Sequence, residues 1–480
     1  MNTQDPQKKR TTLVMKFGGT SVGTAEAMSQ AALIVVEAHQ GWPRLVVVVS
    51  ALAGVTNLLL DSASQAARGE LGGLGPAKSQ LRQRHYAIAE ALVSDPARCT
   101  QLKAAIDPLI ESFCSLCQAM SVLGEATPRA LDAVAGLGER MSTRLLAAAL
   151  EARGIPAQLV EATDLIVTDS VFQGAHPDFA ATANKTRLAL APLLEAGQVV
   201  VVTGFIAANP EGVTTTLGRG GSDYSAAILG AVLPADAVWI WSDVDGVMSA
   251  DPRLVPQART IQEMTYREIS ELAYFGAKVV HPKTISPVIE AGIDLRICNT
   301  FNPQNPGTRL IADAAARQNG KIKAVTAIHG QRLITLEGRG MLGVPGVAAR
   351  AFGAVASTGT SVPLISQASS EQSICFAVPA EAAQAVVSAL EKAFAQELLN
   401  RDIDRVWATE KVSIITVVGA GMIHTPGIAG KVFSALGRAA VNVVAIAQGS
   451  SEVSISMVVD SADAEMAVKA IHTLIANGEA

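Results

Sequence analysis

The stretch Val14 to Gly23, VMKFGGTSVG, delivers a strand-like run into a lysine, a glycine pair and two hydroxyl residues. Gly18 and Gly19 let the backbone turn tightly and bring N–H groups close to an oxyanion. Lys16 adds a point charge, and Thr20 and Ser21 offer further hydrogen bonds. A helix expected to begin near Thr24 would aim its positive end at the same spot. The lysine precedes the glycines, so this is not the GxxxxGK[ST] phosphate loop. By itself the run reads equally as an anion cradle and as an ordinary turn between a buried strand and a helix.

The chain around it has 480 residues, too many for one core, and a prior of about one domain per 150 residues leads us to expect three domains. Hydrophobic residues make up 49% and charged residues 17%, with mean hydropathy +0.31, the composition of a globular chain rather than a disordered one. The longest apolar runs, such as Leu45–Val49 and Val199–Val202, are strand-sized, and none approaches the roughly 20 residues of a membrane span. The start, MNTQDPQKKR, reads as part of a disordered leader over residues 1–12 rather than a signal peptide, which places the chain in the cytoplasm.

A net charge of −5 and no basic stripe argue against a nucleic-acid binder and for a small-molecule partner. The five cysteines are few and odd in number, as expected of reduced thiols. Cys114 and Cys117 form a C-x-x-C spacing inside a helical apolar pattern, which reads as buried packing.

From Leu13 to Ile311 short β-branched runs alternate with longer helical stretches, the pattern of a mostly parallel sheet covered by helices on both faces. Strands are expected at 13–17, 45–50, 158–160, 199–203, 237–241 and 294–299. The glycine- and alanine-rich segment Ser62–Ala77 reads as a surface excursion. After residue 308 the texture changes and an internal repeat appears: LISQASSEQSICFAV (Leu364–Val378) matches AIAQGSSEVSISMVV (Ala445–Val459). Each copy reads β-α-β-β-α. The first gains a fourth strand near Asp404–Thr409, while the second reaches the chain end without one. An orphan strand at 322–329 is therefore expected to complete the second copy, making the first an insertion within it.

Four further clusters carry chemistry. Val46–Asn57, VVVVSALAGVTN, ends a buried strand at Ser50 and offers Thr56 in the following loop, either for substrate contact or as a solvent-facing turn. Glu139, behind Gly136 and Gly138 at a helix start, either complements the helix dipole or meets a ligand. In TTTLGRGGSDYSAA, Gly218, Gly220 and Gly221 leave Arg219 as the only large side chain of a turn opening into Ser222 and Asp223. Arginine there offers a bidentate fork for carboxylate or phosphate. Finally, SDVDGVMSADPR brings Ser242 and Asp243 to the end of a strand, and FGAKVVHP offers Lys278, a second phosphate-neutralising cation or a surface lysine. VVGAGMIH (Val417–His424) superficially matches a dinucleotide fingerprint, but too little chain follows it for that fold.

In this order and spacing, KFGGTSV, SALAGVTN, GERMS, GRGGSDYSA, SDVDGV with ADPR, and FGAKVVHP resemble the aspartate kinases of the amino acid kinase family. The resemblance implies an αβα sandwich kinase domain over residues 13–313 and two ferredoxin-like (βαββαβ) ACT domains over 330–409 and 410–480. It implies phosphorylation of the L-aspartate β-carboxylate by ATP, with Mg²⁺ carried by the nucleotide and no protein metal cage. This is the opening step towards lysine, threonine, methionine and diaminopimelate. By the same resemblance Lys16, Gly18, Gly19 and Thr20 hold the transferring phosphoryl group, and Asp223 orients Lys16. Ser50, Thr56, Glu139, Arg219, Gly220, Gly221 and Ser222 bind aspartate. Ser242, Asp243, Met248, Arg253, Lys278 and Val279 line the ATP site. The family often has tyrosine where this chain has Met248, so any ring stacking there is lost. Gln367 and Gln448 take equivalent places in the repeats, as in the kinase half of threonine-regulated aspartokinase–homoserine dehydrogenases. That implies inhibition by threonine, with lysine as the alternative effector, in a homodimer through the ACT domains or a tetramer. Another amino acid kinase and a catalytically silent amino-acid sensor are the competing readings; the sensor is disfavoured because Lys16, Arg219 and Asp223 are all present.

Overall fold

The computed structural model describes residues 11–275, 280, 282–312, 322–367 and 372–478. The chain divides into two units: residues 1–247 with 280–312, and residues 248–279 with 313–480.

In the first unit the strands lie in the order Ala157–Val160, Val199–Thr203, Arg44–Val49, Thr12–Phe17, Ala237–Ser242, Asp294–Asn299 and Thr308–Ile311. All neighbours run parallel except the last pair. The valine runs Val46–Val49 and Val199–Val202 are fully buried, as strands covered on both faces must be. Leu13, Met15, Phe17, Val47, Val49 and Val201 join one apolar cluster with helices Ala25–Gly41, Pro96–Leu123 and Leu137–Glu151. Full burial of a side chain such as Phe17 contributes about 1.5–3 kcal/mol. Side-chain caps open several helices: Thr24 accepts from the Ala27 N–H, Asp95 from Ala97 and Asp178 from Ala180.

Two expectations are corrected. Ser62–Ala77 is not a surface excursion, because helix Val55–Ala67 buries Ser62, Ala63 and Ala66, and helix Leu74–Leu92 follows it. Small side chains let these helices approach closely, a packing mode with little hydropathy signal. The second correction concerns Pro96–Leu123. This 28-residue helix, with hydropathy 1.2 over its most apolar window, is long and apolar enough to cross a membrane by length and composition. Lys103, Asp107 and Glu111 break the run in sequence. Cys99, Leu102, Ile106, Ile110, Phe113 and Cys117 nevertheless line one face of the helix and are buried in the unit's core.

The second unit is organised by one long strand, Ala324–Glu337. Its first half pairs antiparallel with Val412–Val418, from Ala324 opposite Val418 to Ile328 opposite Ile414. After a register shift, Gln331–Glu337 pairs with Ser373–Pro379 and with Arg405–Ala408. Gly330, at φ 69°, lies at the shift, in a conformation that strains other residues. One strand thus serves both repeats. Helices Val347–Ala356 and Ala383–Ala393 cover the first, Ile428–Arg438 and Ala464–Asn477 the second.

The segment 248–275 also belongs to this unit. Ala250 and Val255 lie in the core of the second repeat, and Ser249 hydrogen-bonds His472 at 2.9 Å. Glu268, fully buried in helix Tyr266–Tyr274, completes a capping box with Thr265, pairs with Lys323 at 2.9 Å and accepts from the Ala420 N–H at 2.6 Å.

Candidate active site

Strand Thr12–Phe17 runs between two parallel neighbours and ends where Phe17 stacks on Trp241, with centroids 6.0 Å apart. The chain then turns: Gly18 N–H donates to the Trp241 carbonyl, and a side chain on Gly19 would stand 2.9 Å from the Ala51 carbonyl oxygen. Only glycine lets the two loops pass so closely. Lys16 thereby projects at the carboxyl end of the sheet, where ligands of parallel α/β sheets gather.

Its ammonium meets the Asp223 carboxylate at 2.7 Å, with side chains 11% and 16% exposed. Asp223 stands in the first turn of helix Gly221–Val232, behind Gly218 at φ 76° and Gly220 at φ 72°. Those left-handed positions account for the glycines and hold Arg219 out as the exposed side chain between them.

Glu139 is 3% exposed in the first turn of helix Leu137–Glu151. One carboxylate oxygen accepts from the Ala51 N–H at 3.1 Å, and the other has no protein partner. Burial pushes its pKa up to about 7, opposed by the Ala51 N–H, its own backbone N–H and the Lys16 charge. A side chain on Gly138 would lie 2.7 Å from the Ala51 Cβ, so this glycine seats the helix against the loop after Val49.

One cavity of about 540 Å³ gathers Lys16, Gly19, Ser50, Thr56 and Glu139 with Arg219, Gly220, Gly221, Ser222 and Asp223. Two helices begin on it, Val55–Ala67 behind Gly54 at φ 78° and Gly221–Val232, and each directs its positive end there. Two cationic side chains and two helix starts suit an anionic ligand, while the orphaned Glu139 oxygen suits a ligand cation. Among the described residues no cluster of three or more His, Cys, Asp or Glu is placed to hold a metal.

Other anticipated residues are not among those that line this cavity. Gly18 and Thr20 flank its lysine, but Ser21 is spent internally, donating to the Trp241 carbonyl at 3.4 Å and accepting from the Thr300 hydroxyl at 2.7 Å. It is not available to a ligand, contrary to the sequence reading. Ser242 ends strand Ala237–Ser242, and its hydroxyl donates to the carboxylate of the exposed Asp243 at 3.2 Å. Met248 and Arg253 belong to the second unit, where Arg253 pairs with Asp251 at 2.5 Å. Lys278 and Val279 lie outside the described residues.

Among the lining residues that escaped the sequence reading are Asp132, Gln173 and Phe205. Gln173 and Phe205 both have φ 67°, uncommon for residues with a side chain. The G-F pair at 204–205 after a valine strand was the available signal.

In the second unit Gln367 is exposed at a strand end and lines a cavity of about 340 Å³ with Met341, Val344, Pro345 and Val347 of the first repeat. Gln448 is likewise exposed, just beyond strand Ala445–Ala447 of the second repeat.

Comparison with known proteins agrees with this architecture. The model of the amino acid kinase family matches residues 11–299, and an ACT domain model matches 334–394 and 415–474. The bifunctional aspartokinase/homoserine dehydrogenase 1 of Arabidopsis thaliana is 38% identical over 96% of this chain and 50% of its own length. The lysine-sensitive aspartokinase 3 of Escherichia coli is 34% identical over 96% of this chain and 98% of its own. The crystal structure of E. coli aspartokinase III with lysine and aspartate superposes with TM-score 0.78 at 32% identity, covering 96% of this chain and 99% of that one. The chain spans about half the length of the bifunctional relatives it matches in plants.

Proposed function

This chain belongs to the amino acid kinase family, in its ACT-bearing aspartokinase branch, and we propose that it transfers the γ-phosphoryl group of ATP to the β-carboxylate of L-aspartate, forming 4-phospho-L-aspartate. The observation that carries the reading is the Lys16–Asp223 pair in one cavity with Glu139 and Arg219. Arg219 clamps the α-carboxylate of aspartate through its planar fork. The free oxygen of Glu139 takes the ammonium, while Thr56, Ser50 and Ser222 complete the substrate wall.

The β-carboxylate is already a nucleophile and needs no strong base. One of its oxygens bonds to the γ-phosphorus as the bond to the bridging β–γ oxygen breaks, and ADP leaves with those electrons. The work left to the chain is to bring two anions together and to neutralise the charge on the phosphoryl oxygens. Lys16 does this beside Gly18, Gly19 and Thr20, and Asp223 fixes where its ammonium points. Mg²⁺ bound to the nucleotide phosphates supplies further neutralisation. Ser242, Asp243, Met248, Arg253, Lys278 and Val279 form the nucleotide side, with Met248 packing against the base.

Gln367 and Gln448 take the effector, with threonine favoured because their I-S-Q-A-S-S-E and I-A-Q-G-S-S-E surroundings resemble those of the threonine-regulated bifunctional enzymes, and lysine the alternative. Ile365 and Ile446, 49% and 46% exposed on equivalent strands, supply apolar surface for a homodimer through the repeats. The five free thiols suit the cytoplasm. The product feeds synthesis of lysine, threonine and methionine.

A hydroxamate trapping assay tests the activity. Acyl phosphate should form only when ATP and L-aspartate are both present, and formation from L-glutamate instead would overturn the reading. Titrating threonine and lysine into the same assay separates the effectors, and inhibition by lysine alone would reject threonine.

A further inference from the structure

Asp132 is a carboxylate 1% exposed in the wall of the substrate cavity, on the short helix Pro128–Ala135. Burying such a group is expensive unless every lone pair is met. Here neutral donors meet it. The Thr216 N–H donates to it at 2.9 Å and the Thr216 hydroxyl at 2.7 Å, while the Gln173 N–H lies 3.0 and 3.2 Å from its two oxygens. Among the described residues no lysine, arginine or histidine forms an ion pair with it.

Both donor segments lead to Arg219. Thr216 ends the strand Thr214–Thr216, two residues before Gly218, and its carbonyl accepts from the Ala175 N–H at 2.9 Å. The Gln173 carbonyl stands 3.1 Å from where a Gly218 side chain would begin, so the turn at 173 forms the floor beneath that glycine. On the far side, the Gly221 N–H donates to the Gly218 carbonyl at 2.9 Å, tying the turn to the following helix. The glycine turn has little stiffness of its own. Its amino-terminal anchor comprises the pair of segments that Asp132 holds together and the Leu217 N–H, which donates to the Phe205 carbonyl at 2.9 Å.

We propose that Asp132 is the positioning residue of the carboxylate-binding arginine, fixing Thr216 and Gln173 so that the turn presents Arg219 to the α-carboxylate of the substrate. It acts through Thr216 and Gln173 and does not touch the reacting groups. The assignment of Arg219 to aspartate rests on the function proposed above.

The chemistry of the site supplies a discriminating pair of variants. In Asp132→Asn the amide oxygen can still accept both backbone N–H groups, and the amide nitrogen can donate to the Thr216 hydroxyl, which accepts as readily as it donates. Asp132→Ala cannot. Positioning therefore predicts that Asn rescues and Ala does not. In the full chain, D132A should raise KM for L-aspartate at least ~10-fold, leave KM for ATP within about twofold and leave D132N within about threefold of wild type.

Amide hydrogen exchange should quicken in D132A across residues 171–176 and 214–222 while D132N stays protected, a readout that needs no turnover. Unchanged exchange in D132A, or D132N as impaired as D132A, would overturn the proposal. Absence of any aspartate-dependent activity in the wild type would reject the functional reading, with the exchange result still deciding the positioning. Should D132A fail to fold, Thr216→Val removes the hydroxyl donor alone and should raise KM for aspartate in the same direction; an unchanged KM would count against the proposal.

Discussion

The Lys16 ammonium and the Asp223 carboxylate stand 2.7 Å apart, although 207 positions separate them in the chain. Strand Thr12–Phe17 supplies one and the first turn of helix Gly221–Val232 the other, so the parallel sheet brings the pair together. Each side chain remains partly open to solvent. Removing either should therefore cost activity far more than stability. Lys16→Ala and Asp223→Ala are expected to lower kcat at least ~10²-fold, with melting temperature little changed. Retained turnover in either variant would remove the pair from the centre.

Glu139 gives the cavity a pH dependence with a defined sign. Its folded pKa, about 7, lies above the ordinary 4.5, so between these values the folded state holds a proton that the unfolded state has lost. Stability should fall as pH rises from about 4.5 to 7, by an amount on the order of 3 kcal/mol. Glu139→Gln should flatten this dependence in thermal melts taken across that range. The same ionisation governs substrate: kcat/KM for aspartate should rise with pH through about 7 in the wild type and lose that inflection in the glutamine variant.

Gly138 makes a steric prediction. Its Cβ in Gly138→Ala would sit 2.7 Å from the Ala51 Cβ and 3.2 Å from a Val55 methyl group. Accommodating it should cost about 1–3 kcal/mol. The displaced helix start would carry Glu139 with it, so KM for aspartate should rise together with the fall in melting temperature. A variant that melts normally and binds aspartate normally would contradict the close approach.

Glu268 has no solvent exposure, and it joins its own helix cap to Lys323 and to the Ala420 N–H. Glu268→Ala leaves Lys323 without this partner and a buried N–H unsatisfied, a loss of about 3–5 kcal/mol. Glu268→Gln preserves the shape and should cost less. Differential scanning calorimetry of the whole chain should show the loss in the transition of the second unit.

Much of this was legible in the sequence, for identifiable reasons. The valine strands announce themselves as continuous apolar runs, Gly218 and Gly220 mark left-handed turn positions that other residues would strain, and Gly19 marks a close approach of two loops. Lys16, Glu139, Arg219 and Asp223 all sit within two residues of a glycine. Asp132 does not. Its partners are backbone N–H groups 41 and 84 residues away, an interaction that leaves no local pattern. Helix Val55–Ala67 was obscured by its Ser–Ala face, and helix Pro128–Ala135 by its shortness. The long strand Ala324–Glu337 read as two pieces because Gly330 and the register shift interrupt its alternation.

That shared strand has a consequence for how the protein is made. Residues 324–328 leave the ribosome well before Val412–Val418, the segment that they pair with in the second repeat. At ~5–20 residues per second, the intervening roughly ninety residues take several seconds or more to synthesise. During that interval AVTAI is an apolar strand edge with no mate from its own chain. The nascent protein must keep this edge from other chains until the second repeat arrives. A burst of crowded synthesis, rather than heating of the finished protein, is where aggregation should begin.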